Sequence, residues 1–302
     1  MNRNFLNLLI NPESGKNFIF DSIEKKLICS DTQTRYEVID DIPIILNTKP
    51  KEVNDEVILH ERYQTHFNYK EHYQIDSVEY NYFEAFESDA SNHENRRLHE
   101  AIFSNLNKNH QIILDVGCGG GWVAKHALRK GKTVISMDVS TNNPIKVKKL
   151  FPSKNHFALV ADVYFLPIKN NSIDFIVASE IMEHVINPQK FVEILYSKLK
   201  PGGKLIITTP YNEKLEYNLC VHCNRPTPRH AHLHSFNENN IKNLIPTGSN
   251  WKYSKFCNKI LVKIYSHIVL KYFSFGIWFF IDKLANKIFS KSLRLMIEIK
   301  KL

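Results

Sequence analysis

The sequence predicts an α/β protein: a mostly parallel sheet with helices on both faces, and a small β-rich domain at the N-terminus. Three observations carry this expectation. From residue 111 onward, short β-branched runs alternate with segments of helical periodicity, the pattern of a sheet covered on both sides. A glycine-rich turn, Asp115-Val-Gly117-Cys118-Gly119-Gly120-Gly121, joins the first of these runs to the first of these helices. Residues 1–50 contain only short strand-like runs and turns, without a long helical period.

The elements follow in order. FIF, KLICS, RYEVI and DIPIIL are the candidate strands of the N-terminal domain, 1–50. A connector over 51–110 is polar, acidic and rich in Tyr, Phe and His. It closes with a leading helix, where Leu98, Ile102, Phe103 and Leu106 fall at helical spacing. The main domain, 111–302, opens with strand IILDV, helix GWVAKHALRK and strand KTVISMD, and continues with strands HFALVAD, SIDFIVAS and KLIITTP. Between the last two lies a helix that Asn187 can cap, with Pro188 in its first turn and Phe191, Leu195 and Leu199 on one face. KPGG stops it. The final strands are expected near SKFCNKILV and SLRLMIEIK, with an inserted helix near 264–289.

Charge is unevenly distributed. The chain has 302 residues and a net charge of +9, but residues 1–240 carry 28 basic and 29 acidic side chains, whereas 241–302 carry 12 and 2. The basicity therefore belongs to the C-terminal region, and an inference of nucleic-acid binding from net charge alone fails. Hydrophobic content of 43% excludes a disordered chain. Five cysteines are too few and too scattered for a disulfide framework, so a reducing, cytoplasmic setting is expected. The opening MNRNFLNLLINPESG has neither the apolar length nor the cleavage site of a signal peptide. The longest apolar stretch, Ile264 to Ile281, is broken by Lys271 and reads as a helix that is buried or lies on a membrane.

The glycine turn brings backbone close to a ligand at the end of a strand, and Asp138 ends the next strand, where a carboxylate can accept both hydroxyls of a ribose. The glycines alone also fit a dinucleotide fingerprint through Gly119-x-Gly121-x-x-Ala124. Three further features separate the two. Asp115 stands where a cationic amino-acid moiety wants a carboxylate. Asp162 follows the third strand, where an adenine amino group can donate. Ser172-Ile-Asp174-Phe-Ile-Val and Leu199-Lys-Pro201-Gly202-Gly203 then follow in order.

This ordered set resembles class I S-adenosylmethionine-dependent methyltransferases over roughly residues 95–250. The resemblance implies a Rossmann-like, seven-stranded sheet with an antiparallel last hairpin, and S-adenosylmethionine as cofactor. It implies that Asp115, Gly117 and Gly119 contact the cofactor's methionine end, Asp138 its ribose and Asp162 its adenine, with Gly121 also among the cofactor-binding residues.

After the fourth strand comes Ser179-Glu180-Ile-Met-Glu183-His184-Val185. On a helical turn Glu180, Glu183 and His184 share one face, and Arg229-His230-Ala-His232-Leu-His234 offers a further imidazole. Two carboxylates with imidazoles can hold a divalent cation such as Mg, Mn or Zn. The motif is similar to that of small-RNA 2′-O-methyltransferases and ubiquinone-pathway O-methyltransferases. That likeness implies Glu180, Glu183, His184 and His234 as metal ligands, with His184, Glu183 and His234 as the catalytic groups. A bare Glu-His turn without an ion is the alternative. Cys220-x2-Cys223 with His230 and His234 has zinc-ligand spacing and competes for His234; two plain thiols are the other reading.

Residues 5–46 resemble the small zinc-ribbon-like domain found with some tRNA and protein methyltransferases. Where that family has cysteine pairs, this chain has Asn11-Pro-Glu-Ser14 and Cys29-Ser-Asp-Thr32, so a metal-free module is implied. Tyr73, Tyr80, Tyr82 and Phe83 either close over the cofactor or fill an interface. The insert near 264–289 alternates bulky apolar residues with lysines, which suits a substrate-pocket lid whose apolar face packs on the sheet, the preferred reading, or a helix lying on anionic lipid.

The expected function is O- or N-methylation of a small or lipid-like biosynthetic intermediate, in the cytoplasm, with residues 264–289 as the candidate for a peripheral membrane contact. An RNA methyltransferase is the less favoured alternative, and a non-catalytic cofactor-binding module the third.

Overall fold

The β-branched runs pair into one extended sheet, whose edge carries the glycine turn. The computed structural model describes residues 1–47, 56–60 and 65–302. Parts of the expected connector, 51–55 and 61–64, lie outside the described residues. Helix α1 (Arg3–Leu6) precedes strands β1 (Phe18–Asp21), β2 (Lys26–Cys29), β3 (Arg35–Ile39) and β4 (Ile42–Ile45). A hairpin of β5 (Glu56–His60) and β6 (Thr65–Asn68) leads to α2 (Tyr69–Glu79) and α3 (Asp89–Phe103). The alternating unit runs β7 (Ile112–Val116), α4 (Trp122–Leu128), β8 (Thr133–Asp138), α5 (Asn142–Leu150), β9 (His156–Ala161), β10 (Ile173–Ser179), α6 (Pro188–Lys198) and β11 (Leu199–Pro210). A small hairpin, β12 (Tyr217–Leu219) and β13 (Pro226–Pro228), precedes β14 (Asn250–Asn258). Helices α7 (Lys259–Lys263), α8 (His267–Leu270) and α9 (Phe275–Phe289) follow, and β15 (Ser292–Lys300) ends the fold.

Seven strands, in the order β9-β8-β7-β10-β11-β15-β14, form the expected sheet. All are parallel except β15, which pairs antiparallel with both β11 and β14. The central strands are buried on both faces, as near-continuous apolar runs demand. Leu114 and Val116 of β7 pack on one side with Ile176 and Leu205; Ile113 packs on the other with Phe175, Val177 and Ile206.

The N-terminal β-rich region is present but continues this sheet. β4 pairs parallel with β9, so β1-β2-β3-β4 extend it to eleven strands. Phe5, Leu9 and Leu27 share the apolar cluster of Leu114 and Val116, and Phe5 stacks on Phe157 at 4.8 Å.

Local signals hold with three corrections. Asn187 caps α6 by accepting from Lys190 N at 2.9 Å. Leu199, expected on that helix, instead starts β11 and is fully buried. In SKFCNKILV only the first half is strand; from Lys259 the chain turns into α7. The inserted helix is broken between α8 and α9, because Lys271–Ser274 leave the helical path before Ser274 opens α9.

Candidate active site

The parallel strands end at one edge, and the sequence places its chemistry there. At the tip of β7, Gly117 has φ +71° and its Cβ would run into Ile181, so only glycine fits. Gly117 N and Cys118 N both donate to the Met137 carbonyl at 2.9 Å, which ties the turn to β8. Gly119 and Gly121 also take positive φ, and Gly121 opens α4. A Cβ on Gly120 would meet the Tyr82 carbonyl, because the segment after α2 lies directly on the turn.

Three carboxylates surround this turn. Asp115 is buried with its Oδ2 unpartnered; burial, reinforced by Asp138, pushes its carboxyl well above the usual range. An orphaned buried carboxylate oxygen calls for a partner, and an ammonium group supplies both the charge and the donors. Asp138 accepts from Ser140 N at 2.9 Å and from Asn143 Nδ2 at 3.2 Å, and burial raises its carboxyl too. Asp162 accepts from Tyr164 N at 3.0 Å and from the Tyr69 hydroxyl, with Lys70 Nζ at 3.6 Å. Helix α2 therefore closes the site from above: Gln74 bonds both the Val139 carbonyl and Thr141 N, at 2.9 and 3.0 Å. These residues fit S-adenosylmethionine at each of its polar ends.

Beyond β10, the expected face of Glu180, Glu183 and His184 does not form. Only Met182–His184 make a helical turn, while Glu180 sits at φ +57° and pairs with Arg294. Glu183, His184 and His232 do converge, their ligand atoms lying within 4.8 Å of one another. They are the sole such group among the described residues. Glu183 is buried, which raises its carboxyl to about 8, and its Oε2 has no partner. His184 is lowered to about 3, first by burial and then by His232, so its imidazole is neutral. Its Nδ1 faces the Ala231 carbonyl at 3.2 Å, and His232 Nδ1 faces Glu213, which leaves both Nε2 atoms available. The Tyr73 ring stands edge-on to His184 at 6.0 Å, with its hydroxyl buried and unpartnered.

His234 lies outside the cluster, its Nε2 donating to the Val185 carbonyl at 2.9 Å. The reason is register. Leu233 N and His234 N both donate to the Glu183 carbonyl, which turns His232 toward the site. The alternating histidines were the only trace of this in the sequence. Glu213 and Tyr73 carried no spacing signal, because they reach the cluster from other segments.

The expected zinc set does not assemble either. Cys220 and Cys223 sit in the turn joining β12 to β13, where Asn224 N donates to the Cys220 carbonyl at 2.9 Å. His230 faces His232 instead, at 5.8 Å between rings, and Cys223 is exposed.

Fold and edge together define a class I S-adenosylmethionine-dependent methyltransferase architecture. A crystal structure of an S-adenosylmethionine-dependent methyltransferase from Mesorhizobium loti matches with TM-score 0.50 at 16% identity, over 69% of this chain and 100% of that one. A crystal structure from Listeria monocytogenes gives 0.51 at 14%, over 69% and 99%. At such identities the likeness is one of fold. The chain belongs to the methyltransferase domain family, whose model matches residues 86–252. Among curated proteins, the mitochondrial ubiquinone biosynthesis O-methyltransferase of Rattus norvegicus is 35% identical over 116 residues, 36% of this chain and 33% of that protein. The ubiquinone biosynthesis O-methyltransferase of Rickettsia prowazekii is 32% identical over 121 residues, 39% and 48% respectively. The chain thus spans about a third to a half of the length of these relatives.

Proposed function

We propose that the protein transfers a methyl group from S-adenosylmethionine to a hydroxyl of a lipid-like biosynthetic intermediate. The observation that carries this reading is the Glu183, His184 and His232 cluster at the same sheet edge as Asp115 and Asp138. The relatives named for O-methylation in ubiquinone biosynthesis support the acceptor class.

S-adenosylmethionine supplies the electrophilic methyl group. Asp115 binds its ammonium end, Asp138 its ribose hydroxyls and Asp162 its adenine amino group, with Gly117, Gly119 and Gly121 admitting the backbone-close approach. Methyl transfer is an in-line displacement, so the chain must orient the acceptor oxygen and remove its proton. His184 Nε2, neutral and exposed to the cluster, accepts that proton; His232, oriented by Glu213, and the Tyr73 hydroxyl hold the acceptor in line. Two imidazoles and an orphaned buried carboxylate also fit a divalent ion, zinc or manganese by donor type, which would acidify the hydroxyl when bound.

The N-terminal region we read as a metal-free ribbon remnant. Its two turns still face each other, and hydrogen bonds occupy the ligand positions: Cys29 Sγ donates to Asp31 Oδ1 at 2.8 Å, and Ser14 Oγ to the same oxygen at 3.1 Å. A reducing, cytoplasmic setting belongs to the same reading, supported by five free cysteines.

The test is methyl transfer from labelled cofactor into cell extract separated into lipid, polar-metabolite, RNA and protein fractions. Label in an alkali-stable ether of the lipid fraction is expected. Label confined to RNA or protein would overturn the proposal.

A further inference from the structure

The insert between β14 and β15 presents an apolar surface that the described residues leave exposed. In α9, Trp278, Asp282 and Ala285 face the protein, while Ile277, Phe280, Leu284 and Ile288 face outward, between 49% and 70% exposed. Tyr272, before α9, is 82% exposed. An outward apolar stripe of this extent on one helix marks an interaction surface.

Charge selects the partner. Exposed Lys283 and Lys287 lie beside the stripe, half-buried Lys271 ends α8 just before it, and Lys263 and Lys291 stand at the two ends of the insert. The one acid between Lys259 and Lys291 is Asp282, which is 1% exposed and accepts backbone N–H groups of Cys257 and Asn258. The outward face therefore offers apolar groups and positive charge alone. A second copy of this surface would meet it with like charge, whereas an anionic bilayer meets both features at once.

The surface also has a defined place relative to the site. β15 pairs Arg294 with Pro210, at the carboxyl end of β11, and β14 pairs Asn258 with Ser292. The insert thus leaves the sheet at the edge that carries Asp138 and Glu183. Arg294, at its base, pairs with Glu180 beside the cluster. It is held rigidly: buried Arg97 of α3 donates to the Leu270 and Phe273 carbonyls at 2.6 and 2.9 Å and lies over the Trp278 ring.

We propose that the α8–α9 insert is a bilayer-docking surface that seats the active-site edge on an anionic lipid leaflet. Outward apolar side chains enter the interface and the lysines contact headgroups, so that a lipid-like acceptor reaches the site without crossing water. Delivery of the acceptor rests on the function proposed above; the docking itself does not.

The experiment is flotation of the full chain with vesicles of phosphatidylcholine containing phosphatidylglycerol, and with vesicles of phosphatidylcholine alone. Binding to the anionic vesicles is expected, weakened by high salt and at least about tenfold weaker on neutral ones. Phe280→Glu with Leu284→Glu should abolish it, and Lys271→Gln, Lys283→Gln and Lys287→Gln together should remove the preference for anionic lipid. These positions are outside the core, and unchanged thermal stability and cofactor affinity verify the fold. Equal flotation of wild type and both variants would overturn the proposal. So would absence of vesicle binding with a dimer that Phe280→Glu dissociates. Vesicle binding without methyl transfer to lipid would keep the docking surface and remove the acceptor assignment.

Discussion

Asp138→Ala should cost most of the affinity for S-adenosylmethionine while leaving the fold intact. Asp138 ends β8, and each carboxylate oxygen already accepts one protein hydrogen, from Ser140 N at 2.9 Å and Asn143 Nδ2 at 3.2 Å. Each retains a lone pair, so the group can take two ribose hydroxyls side by side. A hydrogen bond to a charged group contributes about 1.5–3 kcal/mol, so losing two costs about 3–5 kcal/mol once water partly replaces them. The dissociation constant should rise by roughly two to three and a half decades. Asp138→Asn keeps one acceptor and should fall between wild type and Ala. Isothermal titration calorimetry measures this, with thermal melting as the control. The effect has a pH signature as well. Burial raises the Asp138 carboxyl, and two acceptors require the ionised form. Affinity should thus be full above the raised value and fall as pH drops through it, at higher pH than a solvated carboxylate would show. A folded Asp138→Ala protein with unchanged affinity would refute the ribose assignment.

The remaining predictions concern the cluster, the glycine turn and the buried polar groups. His232→Ala should lower kcat by about two decades with little change in cofactor affinity, whereas His234→Ala, outside the cluster, should cost far less in steady-state assays. Gly120→Ala should displace the Tyr82 segment and weaken cofactor binding more than it lowers the Tm, which paired calorimetry and melting would separate. Burial lowers His156 to about 4, against the Phe151 carbonyl at 2.7 Å, which favours the charged ring; Ser136 Oγ stands at 2.9 Å from its other nitrogen. Its contribution is present above pH about 6.5 and lost as pH falls toward 4, at most about 3 kcal/mol, and His156→Gln should flatten the stability profile across that window. Arg97→Met should destabilise the protein by about 3 kcal/mol, seen in urea melts, because it removes the guanidinium hydrogen bonds to the Leu270 and Phe273 carbonyls and leaves Glu100 with Arg96 as its partner.

Much of the fold was legible because its signals are local. Alternating β-branched runs marked β7 to β11, Asn187 and Pro188 marked the start of α6, and the glycine turn marked the strand tip where Asp115 and Asp138 gather. The lysine-bearing insert was legible from the charge imbalance of the last 62 residues. Local signals also misled. A helical turn was expected to align Glu180 with Glu183 and His184, but the backbone at Glu180 turns left-handed and sends its carboxylate to Arg294, 114 positions away in sequence.

The sequence by itself determined the class of fold, the strands that carry Asp115 and Asp138 or lead into Asp162, and the presence of a basic, apolar insert. Each depends on periodicity or spacing within one segment. Tertiary structure alone decided that the N-terminal strands extend the central sheet through β4 and β9, and that His232 joins the cluster in place of His234. It also decided that the insert stands at the active-site edge with its lysines outward and its one acid buried. Those outcomes depend on pairing register between distant segments, where a shift of one residue turns a side chain to the opposite face.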